Sequence, residues 1–224
     1  MKPMTEQHLA ILRRHMVEIV DMHFDLAAEE IGRNAPTPSL RRALMDVPRH
    51  LFVAPQLMAM AYQDTPLPIG FDKTVSQPFM GAVMIELMNL APGARVLEVG
   101  TGLGYQAALM TEIGAEVWSV EIVEEFAEAA KARLQALGLH VEVRIGDGSR
   151  GWPEHQPFDA ILVTAAATEP PQALLDQLKA GGRMVLPIGD ENGQQLTVIE
   201  KTKDGTFTSI AVMPVTFTQL ETAP

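Results

Sequence analysis

The chain has 224 residues and contains no cysteine. This absence excludes a disulfide framework, a zinc site built on thiolates and a cysteine nucleophile, and it fits a reducing compartment. No stretch approaches the roughly 20 consecutive apolar residues that a membrane-spanning helix needs. Residues 1–16 carry charges and lack the apolar core of a secretory signal. We therefore expect a cytoplasmic protein without a membrane partner.

Basic residues are scarce. The sequence has 17 lysines and arginines against 28 aspartates and glutamates, and the resulting net charge of −11 repels duplex nucleic acid on average. His8, His15 and His23 are spaced by seven and eight residues, whereas metal ligands on one helix are typically four residues apart. We expect neither a nucleic-acid partner nor a metal site.

The composition is that of a globular protein, with 47% apolar and 20% charged residues. Apolar residues recur at helical spacing over residues 5–24, and a second helix is predicted over 39–47. Residues 48–78 hold recurrent prolines without periodicity, which predicts a long ordered loop or a set of short irregular pieces. The chain is predicted to form a single domain, 1–224, with a helical lead-in (1–47), a loop region (48–78), an α/β core (79–189) and C-terminal antiparallel strands (190–224).

The alternation of strands and helices after residue 78 predicts the fold class. Strands are expected over 96–99, 117–120, 141–145, 158–163 and 184–187, and helices over 105–113, 123–137 and 171–178. This alternation is typical of an α/β fold with a mostly parallel, doubly wound sheet. Three further strand-like runs, 196–199, 207–213 and 215–220, follow without helices between them. We expect them to form an antiparallel edge of the same sheet.

The strongest local signal is VLEVGTGLG at residues 96–104, a strand that leads into three alternate glycines and then into a helix. Glycines let the backbone turn tightly and let a ligand approach closely, and the helix points free N–H groups at that ligand. The dinucleotide fingerprint would place its third glycine or alanine one position later, where this chain has Tyr105, so NAD is disfavoured. No Gly-Lys-Ser or Gly-Lys-Thr follows, which excludes a P-loop. The sequence predicts a nucleotide-type cofactor.

Two acidic positions follow the next strands. Glu121 ends the second predicted strand, where a carboxylate can accept hydrogen bonds from ribose hydroxyls. Asp147, between Gly146 and Gly148, follows the third strand, where it could accept from an exocyclic amine. Strand ends of this kind in series indicate a ligand crevice along the carboxyl edge of the sheet.

From about residue 47 to 189 the sequence resembles the protein-L-isoaspartate O-methyltransferase family. The matching segments are VPRHLFV (47–53), AYQD (61–64), PLPIG (66–70), TVSQP (74–78), EVGTGLGYQAA (98–108), GDGS (146–149), GWP (151–153), FDAILVT (158–164) and PIG (187–189). The glycine loop is shared by many S-adenosylmethionine enzymes, whereas TVSQP is more specific. The resemblance implies a Rossmann-like methyltransferase that transfers a methyl group from S-adenosylmethionine to the free carboxylate of L-isoaspartyl residues in damaged proteins or peptides.

The resemblance also implies roles for single residues. It places the glycine loop at the methionine end of the cofactor, Glu121 at the ribose, and Asp147 with Gly148 at the adenine. Ser76 is the implied catalytic residue, and Thr74 and Gln77 would bind substrate. The implied cofactor-binding set is Glu98, Gly100, Thr101, Gly102, Gly104, Glu121, Ile122, Asp147 and Gly148.

The acceptor carboxylate has an ordinary pKa near 4 and is already ionised at neutral pH, so the reaction needs no general base. Catalysis should come from aligning the carboxylate oxygen, the methyl carbon and the sulfur, and from removing water. We therefore expect Ser76 to orient the acceptor rather than to act as a nucleophile. Pro78 is also predicted to lie in the first turn of a helix, and the Ser76 hydroxyl could cap that helix.

Three segments depart from the family pattern. Leu103 replaces a serine, FDK (71–73) replaces His-Gly-Gln, and VTFTQL (215–220) replaces Val-Arg-Phe-Val-Pro-Leu, a strand thought to pair with the substrate backbone. One alternative is therefore the same fold and cofactor acting on a different carboxylate. Another is a non-catalytic module that binds S-adenosylmethionine, although such a module would have no need of Ser76. The sequence does not determine the oligomeric state, and a monomer is favoured.

Overall fold

The computed structural model describes residues 4–223. The helical lead-in consists of α1 (Glu6–Leu26), α2 (Ala28–Ile31) and α3 (Pro38–Asp46). Thr5 caps α1 by accepting from the His8 N–H, and Thr37 caps α3 by accepting from the Leu40 N–H. Helix α1 buries a stripe at helical spacing that runs from Leu9 to Phe24, so the lead-in packs into the main core.

The proline-containing loop region is a set of short pieces. Two 3₁₀ helices, Arg49–Phe52 and Pro55–Met60, precede an antiparallel hairpin of β1 (Leu67–Gly70) and β2 (Lys73–Val75). The hairpin was not predicted. Its tip is made by Phe71 and Asp72, which have φ angles of 49° and 54° although neither is glycine.

A seven-stranded sheet forms the centre of the protein. Its strands are β3 (Arg95–Val99), β4 (Glu116–Glu121), β5 (Val141–Ile145), β6 (Phe158–Val163), β7 (Leu178–Asp190), β8 (Gly193–Lys201) and β9 (Phe207–Val215). The helices around it are α4 (Pro78–Leu87), α5 (Tyr105–Glu112), α6 (Glu124–Ala136) and α7 (Gln172–Gln177). The strand order is β5-β4-β3-β6-β7-β8-β9, parallel from β5 to β7 and antiparallel from β7 to β9. The mostly parallel α/β fold with an antiparallel edge is therefore confirmed.

Side chains of the central strands alternate between two cores. In β3, Val96 faces the core shared with α1 and α4, whereas Leu97 and Val99 face the core that contains Trp118 and Phe158. Because both faces of the sheet are covered at its centre, β6 and residues 96–99 of β3 are mostly apolar. Glu98 is the charged residue within residues 96–99, and it is fully buried.

The prediction of a third antiparallel strand over 215–220 is wrong. β9 ends at Val215, and the chain then leaves the sheet edge and crosses the carboxyl ends of the strands. Ala166 donates its N–H to the Thr218 carbonyl and accepts from the Leu220 N–H, which makes a parallel bridge with Gln219. The Gln194 side chain also holds Phe217, accepting from its N–H and donating to its carbonyl. Backbone groups that an edge strand would have paired are satisfied by the loop after β6 instead.

Candidate active site

A cavity of about 600 Å³, counting its open mouth, lies at the carboxyl ends of β3 and β4. Of the residues that the sequence assigned to the cofactor, the cavity is lined by Gly100, Gly102, Glu121, Ile122 and Gly148. The structure therefore brings the ends of three strands together at one crevice.

Two glycines keep this cavity open. Gly100 has a φ of 91°, and a Cβ there would collide with Thr164 Oγ1. A Cβ on Gly148 would collide with the Val99 side chain. The loop can therefore run against β6 and β3 without filling the cavity, which is the cradle that a flat or extended cofactor requires.

Glu121 is held in place by the backbone on either side of it. Its Oε2 accepts from the Gly102 N–H at 2.7 Å and its Oε1 accepts from the Val123 N–H at 2.9 Å. The side chain lines the cavity although the residue is only 5% exposed. Each carboxylate oxygen keeps a further lone pair, so a fixed bidentate acceptor is available for two hydroxyl groups.

Asp147 lies beside the same crevice and accepts three hydrogen bonds. Ser149 donates both its N–H and its hydroxyl to Oδ1, and the Ala223 N–H donates to Oδ2. Burial opposes ionisation of Asp147, but the two bonds from Ser149, the bond from Ala223 and the nearby Arg150 together lower its pKa. Asp147 is therefore an ionised acceptor whose Oδ2 is touched by the C-terminal segment.

The remaining predicted cofactor residues do not line the cavity. Glu98 is fully buried beneath the loop, where its Oε2 accepts from Ser119 Oγ at 2.5 Å. Thr101 Oγ1 lies 2.5 Å from the same Ser119 hydroxyl, so Thr101, Ser119 and Glu98 form a buried chain. Gly104, with a φ of 92°, begins helix α5 and faces Leu134 of α6. These three predicted residues are placed to shape the loop.

A second cleft contains the residues assigned to the substrate. It is lined by Thr74, Ser76 and Gln77 from the β2–α4 connection and by residues 214–218. Thr74, Thr164 and Thr218 line both this cleft and the cofactor cavity. The two cavities therefore meet at a border of three threonines.

The expected helix cap by Ser76 is wrong. The N-cap residue of α4 is Gln77, which makes no capping hydrogen bond through its side chain. Asp64 caps the helix instead, because its Oδ1 accepts from the Phe79 N–H in the first turn of α4 at 2.8 Å. Within residues 4–223 the Ser76 hydroxyl has no hydrogen-bond partner, so it is free to meet a ligand in the cleft.

Several lining residues were missed by the sequence interpretation. Thr164 is the first polar residue after β6 and follows the same strand-end rule as Glu121, so the signal was present. Phe126 of α6 and residues 218–221 also line the cofactor cavity, and no local pattern indicated them. Asp64 was part of a matched segment but was assigned no role.

The hairpin and the C-terminal segment cover the cofactor cavity. Ile69, Lys73 and Thr74 line it from one side, and residues 218–221 line it from the other. Lys73 forms an ion pair with Glu221, which links the hairpin to the C-terminal segment. Phe71 at the hairpin tip packs edge-on against Phe126, with ring centroids 5.3 Å apart. One of the segments that departs from the family pattern, FDK, therefore lies over the cofactor side.

In the described part of the chain, His, Asp and Glu side chains form no group of three that could hold a metal ion. Over the same residues, none of the helices is long and apolar enough to cross a membrane.

A Rossmann-like sheet with a glycine cradle and a carboxylate at the next strand end is typical of a nucleotide-type cofactor site, and the matches to known proteins identify this site's class as the S-adenosylmethionine-dependent methyltransferases. The family model "Protein-L-isoaspartate(D-aspartate) O-methyltransferase" matches residues 26–223. The chain belongs to this family.

Similar proteins agree with this assignment. The chain is 45% identical over 221 residues to protein-L-isoaspartate O-methyltransferase 1 of Polaromonas sp., covering 98% of this chain and 94% of that protein. It is 48% identical over 190 residues to the Gloeobacter violaceus enzyme of the same name, with 84% and 92% covered.

Solved structures show the same fold. A protein-L-isoaspartate O-methyltransferase structure matches with a TM-score of 0.80 and 30% identity, over 92% of this chain and 65% of that one. A Plasmodium falciparum structure, described as a putative protein-L-isoaspartate O-methyltransferase in complex with S-adenosyl-L-homocysteine, matches with a TM-score of 0.79 over 94% of this chain and 99% of its own. Its 23% identity supports the fold alone.

Proposed function

We propose that this protein methylates the free carboxylate of L-isoaspartyl residues in damaged proteins or peptides, with S-adenosylmethionine as the methyl donor. The observation that carries the proposal is the threonine border between the two cavities. On one side lie the glycine cradle and Glu121, and on the other lies the free hydroxyl of Ser76. The shared border supports a transfer in which the methyl group is held on the first side and the carboxylate on the second.

The residues present fit the cofactor. Gly100 and Gly102 would line its methionine end, Glu121 would accept from the ribose hydroxyls, and Asp147 with Gly148 would meet the adenine. S-adenosylmethionine supplies an activated methyl group on a positively charged sulfur, which becomes a neutral thioether when the methyl leaves. Glu98 lies beneath the loop, Thr101 and Gly104 belong to it, and all three fix its shape.

The acceptor side needs orientation rather than acid–base chemistry. A carboxylate enters the cleft already ionised, so no proton has to be removed before its oxygen forms the bond to the methyl carbon. Ser76 donates one hydrogen bond to the acceptor carboxylate and fixes the direction of the other oxygen. Thr74 and Gln77 stand on either side of Ser76 and contact the substrate around it. Closure by the hairpin and the C-terminal segment removes water from the donor side.

The product is a methyl ester, and the substrate is protein rather than nucleic acid, which is supported by the net charge of −11. A cytoplasmic, monomeric enzyme remains our prediction. The same fold acting on a different carboxylate stays the rival, because the FDK segment and residues 215–220 depart from the family pattern.

One assay tests the proposal directly. An isoaspartyl peptide and its aspartyl twin are incubated with methyl-labelled S-adenosylmethionine, and base-labile methyl ester is counted. We expect label in the isoaspartyl peptide and background in the twin. Label in neither peptide, but in other carboxylic acids of a panel, would favour the rival. Binding of S-adenosylhomocysteine without transfer to any acid would favour a non-catalytic module.

Replacement of Ser76 by alanine tests the proposed orientation. Loss of a hydrogen bond to a charged group costs roughly 1.5 to 3 kcal/mol, so kcat should fall about 10- to 100-fold. The affinity for S-adenosylhomocysteine and the melting temperature should stay near the parental values, because Ser76 caps no helix. Ser209→Ala, on the exposed edge strand β9, is the matched control and should retain the parental rate. A Ser76→Ala variant with parental kcat would remove Ser76 from the reaction.

A further inference from the structure

The largest fully buried side chain in the described residues belongs to Arg49, at the start of the first 3₁₀ helix. Its Nε donates to the Ala61 carbonyl at 2.9 Å and its Nη2 donates to the Ser76 carbonyl at 2.7 Å. These two carbonyls stand at the two ends of the segment that contains the β1–β2 hairpin. One planar guanidinium therefore closes the base of the hairpin and holds the backbone of Ser76.

The same guanidinium reaches the cofactor side. Its central carbon lies 4.6 Å from the ring centroid of Tyr105, the first residue of α5 after the glycine loop. Phe52 packs edge-on against the same ring, with centroids 5.5 Å apart. Arg49 thus contacts both Ser76, whose hydroxyl faces the substrate cleft, and the helix α5, which follows the glycine loop of the cofactor cavity.

Burying a charged side chain costs desolvation free energy, so a buried arginine at this position requires an explanation. Burial lowers the pKa of Arg49, and neighbouring groups that include Tyr105 and Asp64 oppose that effect. Asp64 holds the same turn from the other side, because it accepts from the Gln77 side chain at 2.8 Å and from the Phe79 N–H at 2.8 Å. The turn from residue 76 to 79 is therefore fixed by one buried cation and one buried anion.

Resting on the proposed function, we propose that Arg49 is a positioning residue for methyl transfer, which together with Asp64 fixes the turn that presents the Ser76 hydroxyl to the acceptor. Arg49 lines neither cavity, so it acts through Ser76 and not on the substrate. A displacement of the hydroxyl by about 1 Å can cost on the order of 100-fold in rate. A lysine at position 49 keeps the charge but cannot donate to two carbonyls in one plane.

The test compares Arg49→Lys with Arg13→Lys in the full-length enzyme. Arg13 is a matched control, because it also donates to a backbone carbonyl, that of Met45, and lies over a tyrosine ring, that of Tyr62, but does not contact the turn at Ser76. Rates are divided by the number of sites that bind S-adenosylhomocysteine, so misfolded protein does not count. We expect kcat per site to fall at least tenfold in Arg49→Lys, with the KM for S-adenosylmethionine within about threefold, and to stay within twofold in Arg13→Lys.

A double-mutant cycle with Ser76→Ala separates positioning from general structural damage. If Arg49 acts through Ser76, then Arg49→Lys should lower the rate by less than about threefold in a Ser76→Ala background. Additive losses, an unchanged kcat in Arg49→Lys or an equal loss in Arg13→Lys would overturn the inference. If Arg49→Lys does not fold, Asp64→Asn takes its place in the same cycle, and additivity there would have the same meaning. Failure of the parent enzyme to methylate isoaspartyl peptide would instead refute the proposed function.

Discussion

A buried carboxyl beneath the cofactor loop should make this protein less stable as the pH rises. Glu98 is fully buried, and its Oε1 has no hydrogen-bond partner within residues 4–223. Burial raises the pKa of Glu98 from 4.5 to about 8; the charge of Glu121 adds to the rise, and the hydrogen bond from Ser119 opposes it. At neutral pH the folded protein therefore keeps Glu98 protonated.

The sign of the effect follows from proton counting. Between a pH of about 4.5 and about 8 the folded protein holds a proton that the unfolded chain has released, so the free energy of unfolding decreases as the pH rises. One proton corresponds to about 1.36 kcal/mol per pH unit, and a change from pH 6 to pH 8 should remove about 2 to 3 kcal/mol. For a chain of this length the melting temperature should fall by roughly 4 to 12 °C from this group alone.

The variant Glu98→Gln removes this titration and keeps an oxygen that can accept from Ser119. Calorimetric melting of both proteins at pH 6 and pH 8 should show the variant gaining about 2 to 3 kcal/mol relative to the parent. Glu86→Gln is the control, because Glu86 is also buried but is paired with Arg33 and accepts hydrogen bonds from Thr37. It should lose stability by a similar amount at both pH values, since what it loses is the ion pair. Parallel pH profiles of the parent and Glu98→Gln would refute the reasoning.

Two further variants test the cofactor side. Glu121→Gln should weaken S-adenosylhomocysteine binding by about 1 to 3 kcal/mol in titration calorimetry, because an amide side chain cannot accept hydrogen bonds at both ends. The control Glu116→Gln, at the exposed start of β4, should bind as the parent does. Equal dissociation constants for Glu121→Gln and the parent would remove Glu121 from the site. Lys73→Ala should release S-adenosylhomocysteine about two- to fivefold faster in stopped-flow measurements, because a partly exposed ion pair is worth up to about 1 kcal/mol. Lys131→Ala, which breaks an exposed pair on α6, serves as the control, and an unchanged release rate for Lys73→Ala would show that the pair with Glu221 does not hold the cover closed.

The sheet and the strand ends of the cofactor cavity could be predicted because their signals are local. A buried parallel strand is an apolar run, and the glycines after β3 mark the close approach of a ligand wherever the rest of the chain lies. Glu121 and Gly148 follow the same rule at the next strands. The sequence did not distinguish the buried Glu98 from the residues that line the cavity, because its burial depends on Ser119 in the neighbouring strand.

The covers of the site were harder to predict because their conformations depend on distant partners. Phe71 and Asp72 form a turn that sequence rules assign to pairs such as Asn-Gly or Asp-Gly, and with Phe71 in the first position the hairpin gave no usual signal. Residues 215–218 alternate apolar and polar side chains as a strand would. Their backbone groups nevertheless pair with Ala166, some fifty residues earlier, which no local pattern can reveal.

In the proposed reaction, the border formed by Thr74, Thr164 and Thr218 lies between the cavity for the cofactor and the cleft for the acceptor. With separate sites the acceptor would exchange while the cofactor stays bound, so we expect ternary-complex kinetics in which no methylated enzyme forms. Release of S-adenosylhomocysteine would then require the hairpin and the C-terminal segment, which line the cofactor cavity, to move aside. If that departure limits turnover, a short peptide and a large damaged protein share the same maximal rate, and they differ in how readily each exposes its isoaspartyl group to the open cleft.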